Sequence, residues 1–434
     1  MATLTIKNIG PIKSVENLEL NKVNVFMGPQ SSGKSTIAKI ISYCAWIEKD
    51  IAIYQSLGEY HANGNFKKRL EDFHRLNGYF KENTQIFFES EVIKLEFKNN
   101  ECSIKWKDRY AYKRRKIEYI PSERNLITLP FIQKVEMPNN NNRSFLFDWL
   151  SLRTQYNKDN RVKILDLPVE YYYDEGTGEN HITSINEKDK YDVLLENASS
   201  GLQSLTPLIV TLKYLTEWIY KNEEEISFEK QQRINTVNVR LMQELILEPL
   251  FGEISTSDEM KNTFDQLNEL IKNQDSEAIK SLKRWSELTE NLRKTFNSQF
   301  IIEEPEQNLF PSTQKELIYH LLKSLVFDRG DRVTITTHSP YILYALNNCM
   351  MGFFVNSQLH GEEKTEYLTN RFPSEQSWID PNLVSIWEIE DGELRNIQDK
   401  KDNIISENYF DQKMTELTDE YFQMLTYSKD QDEE

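Results

Sequence analysis

The feature that most constrains the fold is a glycine-rich loop between a strand-like segment and a helix-like segment. Residues 28–35 read Gly-Pro-Gln-Ser-Ser-Gly-Lys-Ser and satisfy the pattern GxxxxGK[ST]. The apolar run 23–27 precedes them, and from Lys34 onward apolar residues recur at helical spacing. Backbone N–H groups at such a helix start point toward an anion and are aided by the helix dipole. This order predicts an α/β fold of the P-loop NTPase type.

The same loop predicts a nucleotide site that contains a magnesium ion. Lys34 is expected to reach the β- and γ-phosphates of ATP, and the Ser35 hydroxyl is expected to bind Mg²⁺. The alternative is a glycine turn that binds nothing, and the register of strand, loop and helix disfavours it. The predicted nucleotide-binding residues are Gly28, Pro29, Gln30, Ser31, Ser32, Gly33, Lys34, Ser35 and Thr36.

A second candidate element is an apolar strand that ends in adjacent carboxylates. Residues 300–306 read Phe-Ile-Ile-Glu-Glu-Pro-Glu. Nucleotide hydrolysis needs one carboxylate near Mg²⁺ and one group that orients the attacking water. Because side chains alternate along a strand, the pair must lie where the strand ends and turns. We assign Glu303 to Mg²⁺ and Glu304 to the water; the alternative is a solvated acidic turn.

Two further segments bring polar groups to the ends of elements. Residues 197–203, Asn-Ala-Ser-Ser-Gly-Leu-Gln, form a small-residue turn that offers N–H groups and hydroxyls to an anion. The alternative is an ordinary helix cap with Ser200 as the cap residue. Residues 332–340 are a strand that ends at His338, and the interval 315–326 can supply a crossover helix from Glu304. Open α/β sheets bind ligands at such strand ends, which favours a catalytic role for His338.

Amino-acid composition bears on which binding partners and which cellular compartment to expect. Of 434 residues, 69 are acidic and 52 are basic, which gives a formal net charge of −17. Such a surface repels phosphate backbones at long range, so a nucleic-acid contact would be local or made by a partner. Three scattered cysteines predict neither a disulfide framework nor a zinc site and fit a reducing cytoplasm. No apolar run approaches the ~18 residues of a membrane helix, and no secretory signal is visible.

Apolar periodicity divides the chain into four predicted parts. Residues 204–297 carry four apolar stripes at helical spacing without sustained heptads, which indicates a helical insertion rather than a coiled-coil arm. Residues 138–142 are predicted as a loop, and residues 144–156 as a helix capped by Ser144. The predicted parts are a head segment 1–203 with an antiparallel β subdomain, the insertion 204–297, a second head segment 298–396, and a helix with an acidic tail at 397–434.

In this order, these segments resemble the ABC-type ATPase heads of the SMC, RecF and OLD-like families. The ATPases of bacterial anti-phage systems are the most similar, and those of the PARIS and Septu systems share the layout. The resemblance implies an ABC/SMC-head-like mixed sheet and covers residues 1–48, about 117–125, 190–210 and 298–397. The motifs that carry it are Glu303-Glu304-Pro305-Glu306 with Leu309 and Pro311, and Thr337-His338-Ser339-Pro340.

The resemblance also implies how subunits associate. A homodimer or higher homo-oligomer would form through an ATP sandwich, in which Lys34 of one subunit and the serine-glycine turn of the other hold the same γ-phosphate. The residues that the resemblance adds to the site are Ser200, Gly201, Gln203, Asn308 and His338.

The sequence departs from the family pattern in two places. The signature reads Ser-Ser-Gly-Leu-Gln instead of Leu-Ser-Gly-Gly-Gln, and no clear Q-loop glutamine follows the phosphate loop; Glu123 or Arg124 occupies roughly that place. Nearly 100 residues separate the signature from the acidic strand, which argues against a transporter. Residues 157–160 fail the NKxD guanine pattern, so a GTPase is disfavoured.

The resemblance suggests a sensor ATPase of an anti-phage system. The chain shows no HNH pattern, and Asp430-Gln431-Asp432 in the acidic tail is its one DxD pattern, so a TOPRIM-type nuclease or other toxin effector is expected on a separate chain. The ATPase would respond to a phage protein and would hold or release the effector. One alternative is a repair or recombination ATPase that binds DNA directly. Another is a scaffold that binds ATP without hydrolysis, which Glu304 disfavours.

One basic, aromatic-interleaved segment bears on the DNA alternative. Residues 105–116 read Lys-Trp-Lys-Asp-Arg-Tyr-Ala-Tyr-Lys-Arg-Arg-Lys and could track a nucleic-acid backbone. Strand alternation instead favours the solvated face of a β-hairpin, because it turns Trp106 inward and Lys105 and Lys107 outward.

Overall fold

A large mixed sheet forms the centre of the molecule. The structure is a computed structural model, and it describes residues 2–57, 60, 65–186, 188, 190–222, 228–253, 257–369 and 371–427. Within these residues the main sheet has eleven strands in the order β6-β5-β4-β1-β2-β15-β14-β3-β13-β12-β7, and a small antiparallel sheet has the order β11-β10-β9-β8. The strands are β1 (Ala2–Ile9), β2 (Ile12–Leu20), β3 (Val23–Met27), β4 (Phe80–Glu89), β5 (Ile93–Lys98), β6 (Glu101–Trp106), β7 (Arg115–Ile120), β8 (Val162–Lys163), β9 (Val169–Asp174), β10 (Glu179–Ser184), β11 (Asp192–Leu194), β12 (Asn297–Glu303), β13 (Arg332–Thr337), β14 (Val384–Glu390) and β15 (Glu393–Asn396).

Helices cover both faces of the parallel part of this sheet. The helices are α1 (Lys34–Tyr54), α2 (Asn65–His74), α3 (Asn141–Leu152), α4 (Ser200–Lys213), α5 (Ile219–Lys221), α6 (Phe228–Met242), α7 (Glu248–Phe251), α8 (Ser257–Lys272), α9 (Ser276–Arg293), α10 (Pro311–Ser324), α11 (Pro340–Gln358), α12 (Gly361–Thr369) and α13 (Tyr409–Leu425). Helix α1 packs on one face, in a core shared with β1, β2, β4 and β5. Helices α3, α4, α10 and α11 pack on the other face.

The sheet has a parallel half and an antiparallel half. Strands β14, β3, β13, β12 and β7 run parallel, and their apolar residues are buried on both faces, as expected for a sheet covered by helices. Strands β1, β2, β4, β5 and β6 pair antiparallel. The predicted α/β class, with its mixed sheet and antiparallel β region, is confirmed.

The register of the parallel strands brings three chain segments to one edge. Met27 pairs with Thr337 on β13, and Thr336 on that strand pairs with Glu303 on β12. The segments that begin at Gly28, Glu304 and His338 therefore leave the sheet side by side, at the carboxyl ends of adjacent strands.

The head continues into the predicted helical insertion. The boundary predicted at residue 204 falls inside α4, whose Leu205, Leu208 and Leu212 pack in the main core with β12. This helix belongs to the head because its apolar stripe meets the sheet. Helices α6 to α9 are joined by a separate small cluster that contains Ile246 and Leu267.

Two predicted helix starts were displaced. The helix predicted to begin at Ser144 begins at Asn141, because the Asn140 side chain caps it and accepts a hydrogen bond from the Arg143 N–H at 3.1 Å. The cap of α4 is Ser199 and not Ser200, since the Ser199 hydroxyl faces the Leu202 N–H at 3.4 Å.

None of the described helices combines the length and the apolar character that crossing a bilayer would need. The DxD pattern at Asp430 and Asp432 lies outside the described residues.

Candidate functional site

The phosphate loop is locked by two glycines that no other residue can replace without strain. Gly28 has φ 144° and Gly33 has φ 112°, both in the region that side chains avoid. A Cβ on Gly28 would lie 2.7 Å from the Ile389 carbonyl oxygen, and one on Gly33 would lie 2.3 Å from the Ile12 side chain. The loop backbone therefore fits closely between β14 and β2, and its path is fixed by steric contact.

Lys34 lies inside this loop. Its ammonium donates hydrogen bonds to the carbonyl oxygens of Gly28 at 2.8 Å and Pro29 at 2.7 Å. Burial lowers the pKa of Lys34 to about 8, and the nearby carboxylates of Glu304 and Glu306 oppose that shift. The loop thus holds a partly desolvated cation beside the acidic strand end.

The rest of the loop and the start of α1 present groups suited to an anion. The side chains of Pro29, Gln30 and Ser31 are exposed, whereas the Ser32 hydroxyl is buried and has no hydrogen-bond partner among the described residues. The first turn of α1 carries no acidic residue, so the positive end of the helix dipole is not offset there. Ser35 is partly exposed and Thr36 is buried in that turn.

Glu303, at the end of β12, points toward the α1 face of the sheet. It is buried, and its Oε1 has no hydrogen-bond partner in the part of the chain that the structure describes. Ile301, on the same face of β12, packs with Ala38 of α1. The negative charge of Glu303 opposes the decrease that burial imposes on the pKa of Lys39. Lys39 lies one helical turn after Ser35, so the Glu303 carboxylate faces the helix that carries the Ser35 hydroxyl.

Glu304 turns away from its neighbour toward His338. Its φ is 44°, and its N–H donates to the Thr336 carbonyl oxygen at 2.9 Å. The Glu304 Oε1 lies 3.4 Å from His338 Nε2. The His338 side chain is the main cause that lowers the pKa of Glu304, and Lys34 acts in the same direction. Glu304 is therefore ionised at neutral pH, with its charge directed at the space beside Lys34.

Glu306 received no role from the sequence and proves to be structural. Its Oε1 accepts hydrogen bonds from the His338 N–H at 2.6 Å and the Thr337 hydroxyl at 2.9 Å. Burial raises the pKa of this carboxyl. Glu306 thus fixes the strand end from which His338 projects.

The serine-glycine turn lies against the segment that follows β12. Ser200 is exposed, and a Cβ on Gly201 would lie 3.0 Å from the Asn308 carbonyl oxygen. The Asn308 side-chain amide donates to the Ser204 hydroxyl at 3.1 Å. The Gln203 amide donates to the carbonyl oxygens of Glu196 at 2.8 Å and Ala198 at 3.0 Å, which stabilises the turn itself.

Arg124 is the site residue that the sequence indicated least. It is fully buried, and its guanidinium donates four hydrogen bonds, at 3.0 to 3.1 Å, to the carbonyl oxygens of Ser204, Glu303, Glu304 and Pro305. Burial lowers its pKa to about 10, so it remains charged. This arginine joins the signature helix α4 to the acidic strand end. Its neighbour Glu123 pairs with both terminal nitrogens of Arg75, at 2.9 and 3.1 Å.

The basic segment 105–116 is largely neutralised within the chain. Lys107 pairs with Glu89 at 2.6 Å, Arg109 with Glu244 at 2.9 Å, and Lys116 with Asp148 at 2.9 Å. Arg114 is buried and donates to the Arg293 carbonyl oxygen at 2.6 Å. The contacts of Arg109 and Arg114 join this segment to the insertion. All four contacts engage basic side chains within the chain, which favours the hairpin interpretation over a nucleic-acid groove.

The residues around Glu303 fit a magnesium ion bound together with phosphates. A buried carboxylate oxygen without a partner and a hydroxyl on the facing helix are hard oxygen ligands of the kind that Mg²⁺ takes. No group of three or more His, Cys, Asp or Glu side chains arranged for a metal occurs among the described residues.

One segment of the chain matches a known domain family. Residues 289–343 match the model of the AAA ATPase domain family, and this segment includes β12, α10, β13 and His338. No functionally curated protein matches the chain. Similar solved structures include the SMC head domain from Thermotoga maritima, with 12% identity, coverage of 79% of this chain and 90% of that chain, and a TM-score of 0.32.

Two further structures are similar at comparable levels. The recombination mediator protein RecF, solved with a nucleotide, shares 12% identity over 91% of this chain and 97% of that chain, with a TM-score of 0.30. The ATP-binding cassette MJ0796, a dimer bound to ADP and phosphate, shares 13% identity over 91% of this chain and 97% of that chain, with a TM-score of 0.26. The phosphate loop, the sheet and the matched segment support an ATPase.

Proposed function

We propose that this protein is a nucleotide-driven switch that binds ATP with Mg²⁺ at the edge formed by β3, β13 and β12, and hydrolyses it there. The observation that carries the proposal is the convergence of three distant segments. The Lys34 ammonium is close enough to the Glu304 carboxylate for their charges to interact, and Glu304 lies 3.4 Å from His338. Lys34 thus shares one small space with two residues that lie more than 250 positions later in the chain.

Each side chain has a definite part in the reaction. Lys34 and the N–H groups of the loop bind the β- and γ-phosphates, and Ser35 and Glu303 would hold the magnesium ion, which neutralises charge on the phosphate oxygens. Glu304, ionised and aimed beside Lys34, orients the attacking water and accepts its proton. His338 fixes the Glu304 carboxylate and faces the γ-phosphate.

A second copy of the chain completes the site in this proposal. Ser200 is exposed at the start of α4, where its hydroxyl and the following N–H groups can meet a phosphate held by another subunit. Arg124 connects that helix to the acidic strand end of its own chain. Closure of an ATP sandwich would therefore be communicated between the two sites of a homodimer or higher homo-oligomer.

The biological role that we infer is the sensor subunit of an anti-phage system, with a nuclease or toxin effector on a separate chain and a phage protein as the trigger. The net charge of −17 and the internal pairing of the basic segment support a protein partner over DNA. The alternative, a RecF- or SMC-like repair ATPase, requires direct DNA binding.

Phosphate release by the purified chain tests the ATPase proposal. We expect turnover that requires Mg²⁺ and disappears with a chelator, and we expect sedimentation to show dimers with ATP but not with ADP. Absence of both turnover and ATP-dependent association would refute the proposal.

Binding to a fluorescent DNA duplex between 50 and 500 mM salt separates the two roles. We expect negligible binding at all salt concentrations. Tight binding that weakens steeply with salt would instead support the repair ATPase, because a steep salt dependence reports neutralised phosphates.

A further inference from the structure

The C-terminal helix α13 carries an apolar seam that faces solvent. Met414, Leu417, Tyr421 and Met424 follow one another at spacings of three, four and three residues, so they align on one side of the helix. Their exposed fractions are 65%, 64%, 58% and 60%. Phe422 and Leu425 widen this seam, with 56% and 48% exposed. Contiguous exposed apolar surface of this kind marks an interaction site in a soluble protein.

The first turn of α13 is firmly attached to the head. Asn408 and Asp411 form a reciprocal capping box. The side-chain oxygen of Asn408 also accepts a hydrogen bond from the Phe410 N–H at 3.0 Å. The Tyr409 N–H donates to the Glu388 Oε1 at 2.8 Å, and the Tyr344 hydroxyl bonds to Asp411. Tyr409 and Phe410 pack against the main core. The helix therefore leaves the head at a fixed point.

The seam beyond this anchor is uncovered by the described part of the chain. None of the side chains from Tyr409 to Leu425 is buried there. An exposed apolar seam of this kind is suited to contact with a partner molecule.

Charge decides what kind of molecule it is. The helix carries Asp411, Glu416, Asp419 and Glu420, and its one lysine, Lys413, is paired with Glu416 at 2.7 Å. A second copy would bring the same excess of negative charge, and an anionic membrane would repel it. The seam also spans only about two heptads, which is short for a self-sufficient coiled coil. A partner with basic flanks satisfies both the apolar and the acidic surface.

We propose that α13 is a docking helix for a different protein, which receives the seam in an apolar groove bordered by lysine or arginine. Recognition of an amphipathic helix through anchors spaced three and four residues apart is a common binding mode. The surface lies outside the nucleotide site, so the inference holds whether or not the chain hydrolyses ATP.

The test uses the full chain and two synthetic helical hairpins that present the same leucine groove, one flanked by lysine and the other by glutamate. Fluorescence anisotropy measures the affinity of each hairpin. We expect the lysine hairpin to bind at least tenfold more tightly, with a difference that shrinks as salt rises. Leu417→Glu combined with Tyr421→Glu should abolish binding. The matched control, Gln412→Glu combined with Gln423→Glu, adds the same charge on the polar side and should retain it.

Four outcomes would overturn the proposal. Equal affinity for both hairpins would show that charge complementarity does not contribute to recognition. Binding that survives Leu417→Glu combined with Tyr421→Glu would show that the seam is not the binding surface. Sedimentation that shows self-association lost in the same double variant would make a second copy the occupant. Partition of the wild-type chain, but not of that variant, into phosphatidylcholine vesicles would make the occupant a membrane.

Discussion

The phosphate loop and the serine-glycine turn both place backbone N–H groups at the start of a helix, but they are built differently. The loop is fixed by steric contact, because Gly28 and Gly33 leave no room for a side chain and Lys34 is enclosed within it. The turn is capped by Ser199 and is held by tertiary contacts from Asn308 and Arg124. A site enclosed within its own loop can bind alone, whereas a turn with an exposed serine suits a contact between subunits.

The largest effect is expected for Glu304→Gln. This variant should stop ATP turnover, whereas the phosphate loop should still bind ATP. The amide keeps the shape but cannot accept a proton, so kcat should fall by about 10²- to 10⁴-fold. Phosphate release and the ATP dissociation constant measure the two effects. Glu316→Gln on α10 is the matched control, and normal phosphate release by the Glu304 variant would contradict the assignment.

Lys34→Ala should strongly weaken nucleotide binding at the loop. Loss of a buried charged donor to phosphate is expected to cost about 3 kcal/mol, or about 100-fold in affinity. Isothermal titration calorimetry with ATP measures this loss, and Lys13→Ala, on the exposed side of β2, is the control. If ATP affinity were unchanged, the loop would not be the nucleotide site.

The pH dependence of binding sharpens the role of Lys34. Since burial lowers its pKa to about 8, the ammonium loses its proton as the pH rises above that value. If only the charged form binds, affinity should fall about 30-fold between pH 7 and 9.5. Lys34→Arg should show a flat profile over this range, because arginine stays protonated. A wild-type profile that is flat to pH 10 would show that the charge of Lys34 does not matter.

Arg124→Lys tests the connection between the turn and the acidic strand end. An ammonium cannot reach all four carbonyl oxygens, and each buried oxygen left without a donor costs about 1–3 kcal/mol, so we expect a loss of about 2 kcal/mol in unfolding free energy. Urea denaturation measures this loss. A positioning role further predicts a lower kcat with little change in KM, and Arg161→Lys is the surface control. Unchanged stability and kcat would leave Arg124 without a role.

The smallest expected effects separate Ser199 from Ser200. Ser199→Ala removes the helix cap and should cost about 1 kcal/mol of stability while ATP-dependent association persists. Ser200→Ala should keep stability but weaken that association about tenfold, because one hydrogen bond to a charged phosphate is lost, at a cost of about 1.5 kcal/mol. Sedimentation with ATP and thermal unfolding distinguish the two. The reverse pattern would assign the intersubunit contact to Ser199.

Local sequence patterns were sufficient to predict which segments meet at the edge of the sheet. They were insufficient to predict the residue that connects this edge to α4. The phosphate loop, the acidic segment and the histidine segment could be predicted because each follows an apolar strand and carries distinctive residues at the strand end. Arg124 could not, because its partners lie 80 to 181 positions away in the chain. The predicted boundary at residue 204 lies within α4 for a related reason, since apolar periodicity shows that this helix has a buried face but not which surface covers it. The exposure of the α13 seam could not be predicted either, because apolar spacing does not show whether another part of the chain covers it.

The close approach of Gly28 to β14 has a mechanical consequence. Ile389 limits the loop on that side, and Glu388, its neighbour on β14, pairs with Met27 and also holds the first N–H of α13. A shift of the loop toward this strand cannot be absorbed where it starts. In the proposed function, Glu388 would connect a movement of the phosphate loop to the root of the C-terminal helix.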